Sequence, residues 1–372
     1  MQILAVDVGT GTQDILLFDT EREPENALKL VMPAPTVRVA RAIREATQAG
    51  ESVLLTGVTM GGGPSGWAIQ DHLRAGCRVF ATPDAARTLN DDLAEVSGLG
   101  VRVVSEDEAA KLADVRRLTL LDFDYGAMSR AFAAFGVDLG PVDLVAIAVF
   151  DHGAAPPGVS DRVFRFEYLA QRLDTGLGLG AFAFAREAIP PSMTRLRAAV
   201  STAPEDRPVL AMDTAPAAVL GTLEDPVVGG AQQPLVVNVG NLHTLAFRLR
   251  GGTVTGLFEH HTGLLNGTRL RRLLEQLAAG TVSHEEVFLA HGHGALVLDP
   301  APAPADLVAV TGPRRAMLAG SSVEQAFEPV RLQPYMAVPY GDMMMAGCWG
   351  LVRAATQVFP WATEVIADAL GA

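Results

Sequence analysis

The sequence predicts an α/β protein built as two domains, and three observations carry that expectation. Short runs rich in Val, Ile and Leu alternate with longer segments of helical period, the pattern of strands and helices in turn. Both halves of the 372-residue chain open with a strand–turn–strand unit, and the length favours two domains over one. The residues are 49% apolar and only 19% charged, so a large core can be buried.

In chain order, Gln2–Asp7 and Asp14–Phe18 read as paired strands. Thr36–Ala49 has an apolar stripe at helical spacing through Val37, Val39, Ala40, Ile43 and Ala46. Strands follow at Ser52–Thr56, Arg78–Ala81, Val101–Val104, Leu118–Asp122 and Asp143–Phe150, with helices near Trp67–Ala75, Glu106–Ala113 and Tyr125–Phe135 between them. These repeats predict a parallel or mixed sheet with helices on its faces. Asp151 to Pro204 is less regular and is punctuated by Pro156-Pro157-Gly158 and Pro190-Pro191. Strand Val209–Met212 and a helix from Thr214 to Leu223 come next.

Glu224 to Gln233 is a Gly/Pro/polar connector and sets the expected boundary between units 1–224 and 225–372. Beyond it, Leu235–Asn238, His243–Arg250 and Val254–Phe258 predict an antiparallel meander with Gly251-Gly252 as a hairpin turn. Leu264–Ala278 reads as a helix, Asp299–Asp306 as an extended linker and Leu307–Val310 as a buried strand. Gly341–Thr356 reads as an apolar helix of small residues, with Met343, Met344 and Met345 as core packing.

A net charge of −13 argues against a nucleic-acid partner, because neutralising phosphates takes clustered Lys and Arg. Lys29 and Lys111 are the two lysines, so Arg carries nearly all the positive charge. Cys77 and Cys348 are too far apart in sequence for a disulfide framework, a zinc ribbon or a cluster motif, and a reducing cytoplasm is the expected location. No basic leader precedes the first strand, and no apolar run reaches the roughly 20 residues of a membrane helix, so no membrane partner is expected.

The chemistry starts in the first turn, AVDVGTGTQD from Ala5 to Asp14. It is not a P-loop, since it lacks lysine, nor a dinucleotide fingerprint, since Asp14 stands where the third glycine belongs and a strand follows instead of a helix. Two readings remain. Backbone amides of Gly9, Thr10, Gly11 and Thr12 cradle a phosphate while Asp7 holds a magnesium ion, or the glycines merely shape a hairpin. In AMDTAPAAVLGTL, Asp213 ends a buried strand and begins a helix, as either a general base at a sheet opening or a simple N-cap. LVVNVGNLHT places Asn238, Gly240, Asn241 and Thr244 at a second strand–turn–strand, and LVAVTGPRR runs a strand into a turn at Gly312.

Taken in order, these segments resemble the superfamily of acetate and sugar kinases, heat-shock-protein-70 chaperones and actin. VDVGTGTQDILLFD resembles its first phosphate hairpin, VVNVGNLHTLAF its second, and VAVTGPRR its adenosine turn. AMDTAPAAVLG resembles the carbohydrate-kinase stretch that holds the catalytic aspartate, and GDMMMAGCWGLVRA the helix at the interlobe hinge. The resemblance implies a two-lobed ribonuclease-H-like fold with an interlobe nucleotide cleft. It also implies ATP and Mg²⁺ as cofactors, with Asp213 as base and Asp7 on the metal. Asn238 stands where actin and the chaperones carry an acid, and the adenosine turn lacks its usual double glycine.

The chain also looks like a prokaryotic family labelled as related to pyruvate formate-lyase activating enzyme, although it has no C-x-x-x-C-x-x-C cluster motif. The implied activity is ATP-dependent phosphoryl transfer to a small molecule, or ATP hydrolysis. A nucleotide-dependent regulator of a protein client and a nucleotide-free binding protein are the readings from other classes.

Other polar features have two readings each. His152, His243, His260, His261, His291 and His293 include metal-ligand types. His260 and His261 would point to opposite faces if extended, whereas His291 and His293 would share one. One of His152, His243 and His260 is otherwise expected to line the cleft as a hydrogen-bonding or acid–base group. The glycines of Thr59–Gly66 form either an anion site before a helix or an ordinary βα loop. Arg162 and Arg165, in Asp161–Tyr168, present either an arginine pair to an acidic substrate or a solvated helix surface.

Overall fold

The structure, a computed structural model, describes residues 1–176, 178–320, 322–324 and 331–371. The opening hairpin forms as the sequence predicts. Strands β1 (Gln2–Val8) and β2 (Thr12–Asp19) pair antiparallel with Asp7 opposite Asp14, and β3 (Leu28–Pro33) extends the edge. No residue of β3 is buried, so this strand leaves no apolar alternation to read.

The helix Pro35–Ala49 then leads into a separate parallel sheet. It contains β4 (Ser52–Gly57), β5 (Val79–Ala81), β6 (Arg102–Val103) and β7 (Val115–Leu120) in the order β6-β5-β4-β7. The chain returns to the first sheet with β8 (Leu144–Val149) parallel to β1. Short β9 (Ala183–Ala185) forms the far edge, antiparallel to β10 (Val209–Asp213), which itself runs parallel to β8. β8 is buried at every position, as a strand covered on both faces should be.

The segment 151–204, expected to be irregular, contains the helices Asp161–Leu173 and Thr194–Ser201. Arg165 is buried on the inner side of the first, beside Phe166 and Leu169. A cation therefore occupies a core position of the stripe and hides the helix from pattern reading. This also corrects the expectation that Arg165 faces a substrate or solvent.

The second lobe repeats the scheme. Strands β11 (Pro234–Val239), β12 (His243–Arg250), β13 (Thr253–His261) and β14 (Gly294–Val297) form an antiparallel meander. On the other side of β11 lies parallel β15 (Leu307–Thr311). After a small ribbon of β16 (Val323–Glu324) and β17 (Arg331–Leu332), β18 (Tyr335–Met336) adds parallel to β15.

The two large sheets run β3-β2-β1-β8-β10-β9 and β14-β13-β12-β11-β15-β18. Each contains a three-stranded antiparallel unit, β1-β2-β3 or β11-β12-β13, with two parallel strands added beyond its first strand, β8 and β10 or β15 and β18; β9 and β14 are antiparallel edges. This is the ribonuclease-H-like order, present twice. Among the described residues no helix is long and apolar enough to cross a membrane.

The helix Ala346–Val358 belongs to the C-terminal end of the chain but packs against Thr214–Thr222 and beneath β1. It begins five residues later than the sequence suggests, because 339–341 and 343–345 are 3-10 turns and Asp342 caps Met344 N at 2.9 Å. The two helices cross at backbone contact: a Cβ on Gly221 would collide with Ala346 O, and one on Gly350 with Ala217 O. Wholly buried Trp349 anchors the same helix, edge-on to Phe18 at 5.6 Å.

Gly350→Val should therefore destabilise the protein by at least ~2 kcal/mol through overpacking. Gly98→Ala, where a Cβ meets nothing within 4 Å, should leave stability unchanged or slightly raised. Thermal melts of the two variants test the crossing, and equal melting temperatures would rule it out as a constraint.

Candidate active site

A cavity opens where the two lobes face each other. Its wall in the first lobe is the β1–β2 turn, through Asp7, Gly9, Thr10, Thr12 and Asp14. Its wall in the second is the β11–β12 turn, through Asn238, Gly240 and Asn241. The turns touch, since a side chain on Gly11 would run into the Asn241 amide. Gly312 and Pro313, just past β15, complete the far side with Met343 and Met344. Thr214 and Ala215 bring the N-terminus of one helix to the floor, and Ala346 and Gly347 bring that of the other.

Most residues grouped in the sequence thus meet in one place. Thr244 does not line the cavity. It is buried in the β12–β13 pair, where its hydroxyl shares a 2.9 Å hydrogen bond with Thr262. Met345 is buried in the core and Met344 packs against it, as expected, while Met343 and Met344 also line the cavity.

The floor carries two acids. Burial lifts the Asp7 carboxyl to about 7, against a hydrogen bond from the Thr214 hydroxyl, and Asp213 lifts it further. Burial and the neighbouring Asp7 lift Asp14 to about 8. Asp14 Oδ1 is buried with no hydrogen-bond partner, and Gly347 is small enough for Asp7 to lie directly against the helix there. Two adjacent acids held above the usual carboxylate range, one with an orphaned oxygen, suit a hard divalent cation bound through oxygen. The pairing is legible in principle, because positions 7 and 14 are equidistant from the turn and so must face each other.

Asp213 caps its helix by accepting from Ala215 N at 2.9 Å. The same carboxylate accepts from Arg165 Nη1 at 2.7 Å and Nη2 at 3.3 Å. Arg165 is wholly buried and also donates from Nε to Glu259 at 2.7 Å and from Nη1 to the Asp151 carbonyl at 2.8 Å. Both Asp213 oxygens are therefore engaged, and the residue lines neither the first cavity nor the one beside it.

A second cavity adjoins the first, sharing Gly9, Thr10, Phe150, Arg195, Leu242 and His243 as their common wall. Its outer side is the Thr59–Gly63 loop after β4, so this glycine run faces a cavity. Arg195 is fixed by Asp122, with bonds of 2.7 Å and 3.1 Å, and by the Phe150 carbonyl at 2.7 Å. Asp151 lines the cavity and accepts from Gly153 N at 2.8 Å and Leu196 N at 2.9 Å. Burial raises its carboxyl to about 6 in spite of those bonds.

His152 and His243 line the second cavity, whereas His260 turns to the carbonyl of His261. His291 and His293 do not share a face, because a positive φ at His291 turns it out while His293 is buried. Burial lowers the His152 ring to about 3 and pulls His243 and His293 down as well, so all three are neutral near pH 7. The ion pairs Arg165–Asp213, Arg165–Glu259 and Arg195–Asp122 carry no signal in the sequence, since their members lie 48 to 94 positions apart.

The fold and cleft define a two-lobed α/β protein with a ribonuclease-H-like sheet in each lobe. The chain belongs to the family described as "Putative pyruvate format-lyase activating enzyme (DUF1786)", whose model matches residues 60–317. Its two cysteines do not meet in the structure: Cys77 follows a helix of the inserted sheet, and Cys348 lies buried under the first hairpin, donating to the Asp14 carbonyl.

Among solved structures it is similar to an inorganic polyphosphate/ATP-glucomannokinase from Arthrobacter sp. strain KM, at 12% identity and a TM-score of 0.37, over 96% of this chain and 99% of that one. It is also similar to a ROK hexokinase from Thermus thermophilus, at 14% identity and 0.30, over 98% and 100%. A third is the Aquifex aeolicus PPX-GPPA enzyme, at 10% identity and 0.26, over 86% and 70%. None of the curated proteins matches the chain.

The acid pair gives a pH dependence with a definite sign. Asp7 and Asp14 titrate near 7 and 8 in the fold against 3.8 without it, so the folded metal-free chain binds more protons than the unfolded chain between these values. Their contribution to stability is full below about pH 4 and is lost as pH rises through 7 to 8. The buried histidines slope the other way, so the variant comparison isolates the acids. In chelator, Asp7→Asn should lose less stability than the parent between pH 5 and pH 8.5, as read from melting temperature. Parallel profiles would contradict the assignment.

Proposed function

We propose that the protein is an ATP-dependent phosphoryl-transfer enzyme, with the nucleotide in the first cavity and a small polar acceptor in the second. The observation that carries this reading is the convergence of two glycine turns, one from each lobe, on a floor of paired acids and helix N-termini. Backbone amides of Gly9–Thr12 and Gly240–Asn241 hold the phosphates, with Asn238 alongside, and Gly312 and Pro313 border the nucleoside. Asp7 and Asp14 hold Mg²⁺, whose charge offsets that of the phosphates and of the ionised acids. The lobes 1–224 and 225–372 supply one turn each.

In this reading the proton acceptor is Asp151 and not Asp213. Asp151 faces the second cavity, and its carboxyl, raised to about 6, is matched to accepting a proton near neutral pH. Asp213 instead positions Arg165, to which both its oxygens are committed. Arg195, in the wall shared by the two cavities, is placed to neutralise charge on a phosphoryl group in transit. The second cavity favours transfer over simple hydrolysis, because it offers far more room than a water needs. Its mix of Arg87, Arg195, Asp91 and Asp151 suits a hydroxyl-bearing acceptor.

Calorimetry with Mg-ATP is the first test. The parent should bind, Asp7→Ala should show no heat of binding, and unchanged affinity in that variant would defeat the nucleotide assignment. Asp151→Asn should bind Mg-ATP as the parent does and lose at least ~100-fold in turnover, the scale of a missing general base. Full turnover in Asp151→Asn would return the base role to another group.

A further inference from the structure

Three imidazoles from separate segments meet at one point in the interlobe cleft. His152 follows β8 in the first lobe, His243 opens β12, and His293 immediately precedes β14 in the second. One ring nitrogen from each lies within 4.8 Å of the other two. The Nε2 atoms of His152 and His293 are 3.0 Å apart, close to the roughly 3.3 Å between two nitrogens that share a tetrahedral zinc at about 2.0–2.1 Å. A direct imidazole–imidazole hydrogen bond is the other way to account for that spacing.

The surroundings favour a metal. Glu259 Oε1 lies 3.3 Å from His293 Nδ1, and both atoms are buried with no hydrogen-bond partner. A proton on Nδ1 directed at this carboxylate leaves the Nε2 lone pair facing the other two histidines, the arrangement that orients metal-bound imidazoles. Glu259 is itself fixed from behind by Arg165. Phe150 stacks on the His243 ring at 4.2 Å and stands edge-on to His152 at 4.8 Å, so two of the rings are held by packing.

We propose that His152, His243 and His293 bind one divalent transition-metal ion of the zinc class, with a coordination position left open toward the second cavity. Neutral imidazoles select zinc, cobalt, nickel or iron over magnesium, which prefers oxygen. The open position follows from His152 and His243 both lining that cavity. With ligands from both lobes, a bound ion would tie the lobes together on the acceptor side, independently of any nucleotide.

The test uses untagged full-length protein. Elemental analysis should find about one zinc-class ion per chain as isolated. After chelator treatment, Co²⁺ should produce the visible bands of a four-coordinate site, complete at one equivalent and bleached by Zn²⁺. His152→Ala, His243→Ala and His293→Ala should each lower Co²⁺ affinity at least ~100-fold while remaining folded by circular dichroism; if one of them fails to fold, the other two carry the test. Glu259→Gln, a positioning variant, should weaken binding about 10–100-fold. His291→Ala, on an exposed turn two residues away, and Asp7→Asn should retain the site. Absence of the bands at one equivalent would overturn the proposal in favour of a hydrogen-bonded histidine cluster. Equal loss in His291→Ala would overturn it in favour of adventitious surface binding.

Discussion

Everything around the cleft depends on one buried cation. Arg165 lies wholly inside the protein, where an unpaired guanidinium would cost several kcal/mol. Burial pulls its pKa down, and Asp213 and Glu259 more than offset that pull. The planar fork reaches two carboxylates and a carbonyl together, and its carbon lies 4.0 Å from the centre of the Phe150 ring. A lysine would bring one point charge and no fork. Since Asp213 ends β10, Asp151 lies two residues past β8 and Glu259 lies on β13 of the second sheet, the same side chain fixes the inner ends of both lobes.

This arrangement has consequences on either side. Toward the first cavity it takes Asp213 out of contact with solvent, and Asp7 and Asp14 remain as the acids on the floor. Toward the second cavity it holds the Asp151 backbone, and with it the carboxylate that lines that cavity. Through Glu259 it also reaches His293, so the histidine cluster shares its support with Asp151 and Asp213. Arg195 does the equivalent at the other edge, joining Asp122 of the inserted unit to the Phe150 carbonyl.

Much of this was legible in the chain. The first hairpin was readable because an apolar strand, a glycine turn and a second apolar strand leave few alternatives, and the second hairpin repeated the pattern. The order of those turns, followed by a strand ending at Gly312, was enough to anticipate a two-lobed fold. Three things escaped. β3 has no buried face to alternate, the Asp161–Leu173 helix carries an arginine where its core stripe should be, and Thr244 faces inward although its neighbours face the cavity. Asp213 reads as a candidate base because a carboxylate at a strand end usually meets solvent, whereas in the fold it is buried and bonded to Arg165, a partner the sequence does not indicate.

By itself the sequence determined the local geometry: which stretches become strands and helices, where glycine lets a turn approach a ligand, and which acids stand beside those turns. Those features arise from period, backbone freedom and near neighbours, all of which lie within a few residues. The tertiary structure alone decided which charges neutralise one another, and so which acids stay available for chemistry. It brought Arg165 to Glu259, 94 positions away, and His152 to His293, 141 positions away. Electrostatics and metal coordination depend on distance in space, and the strand order of the two sheets sets those distances.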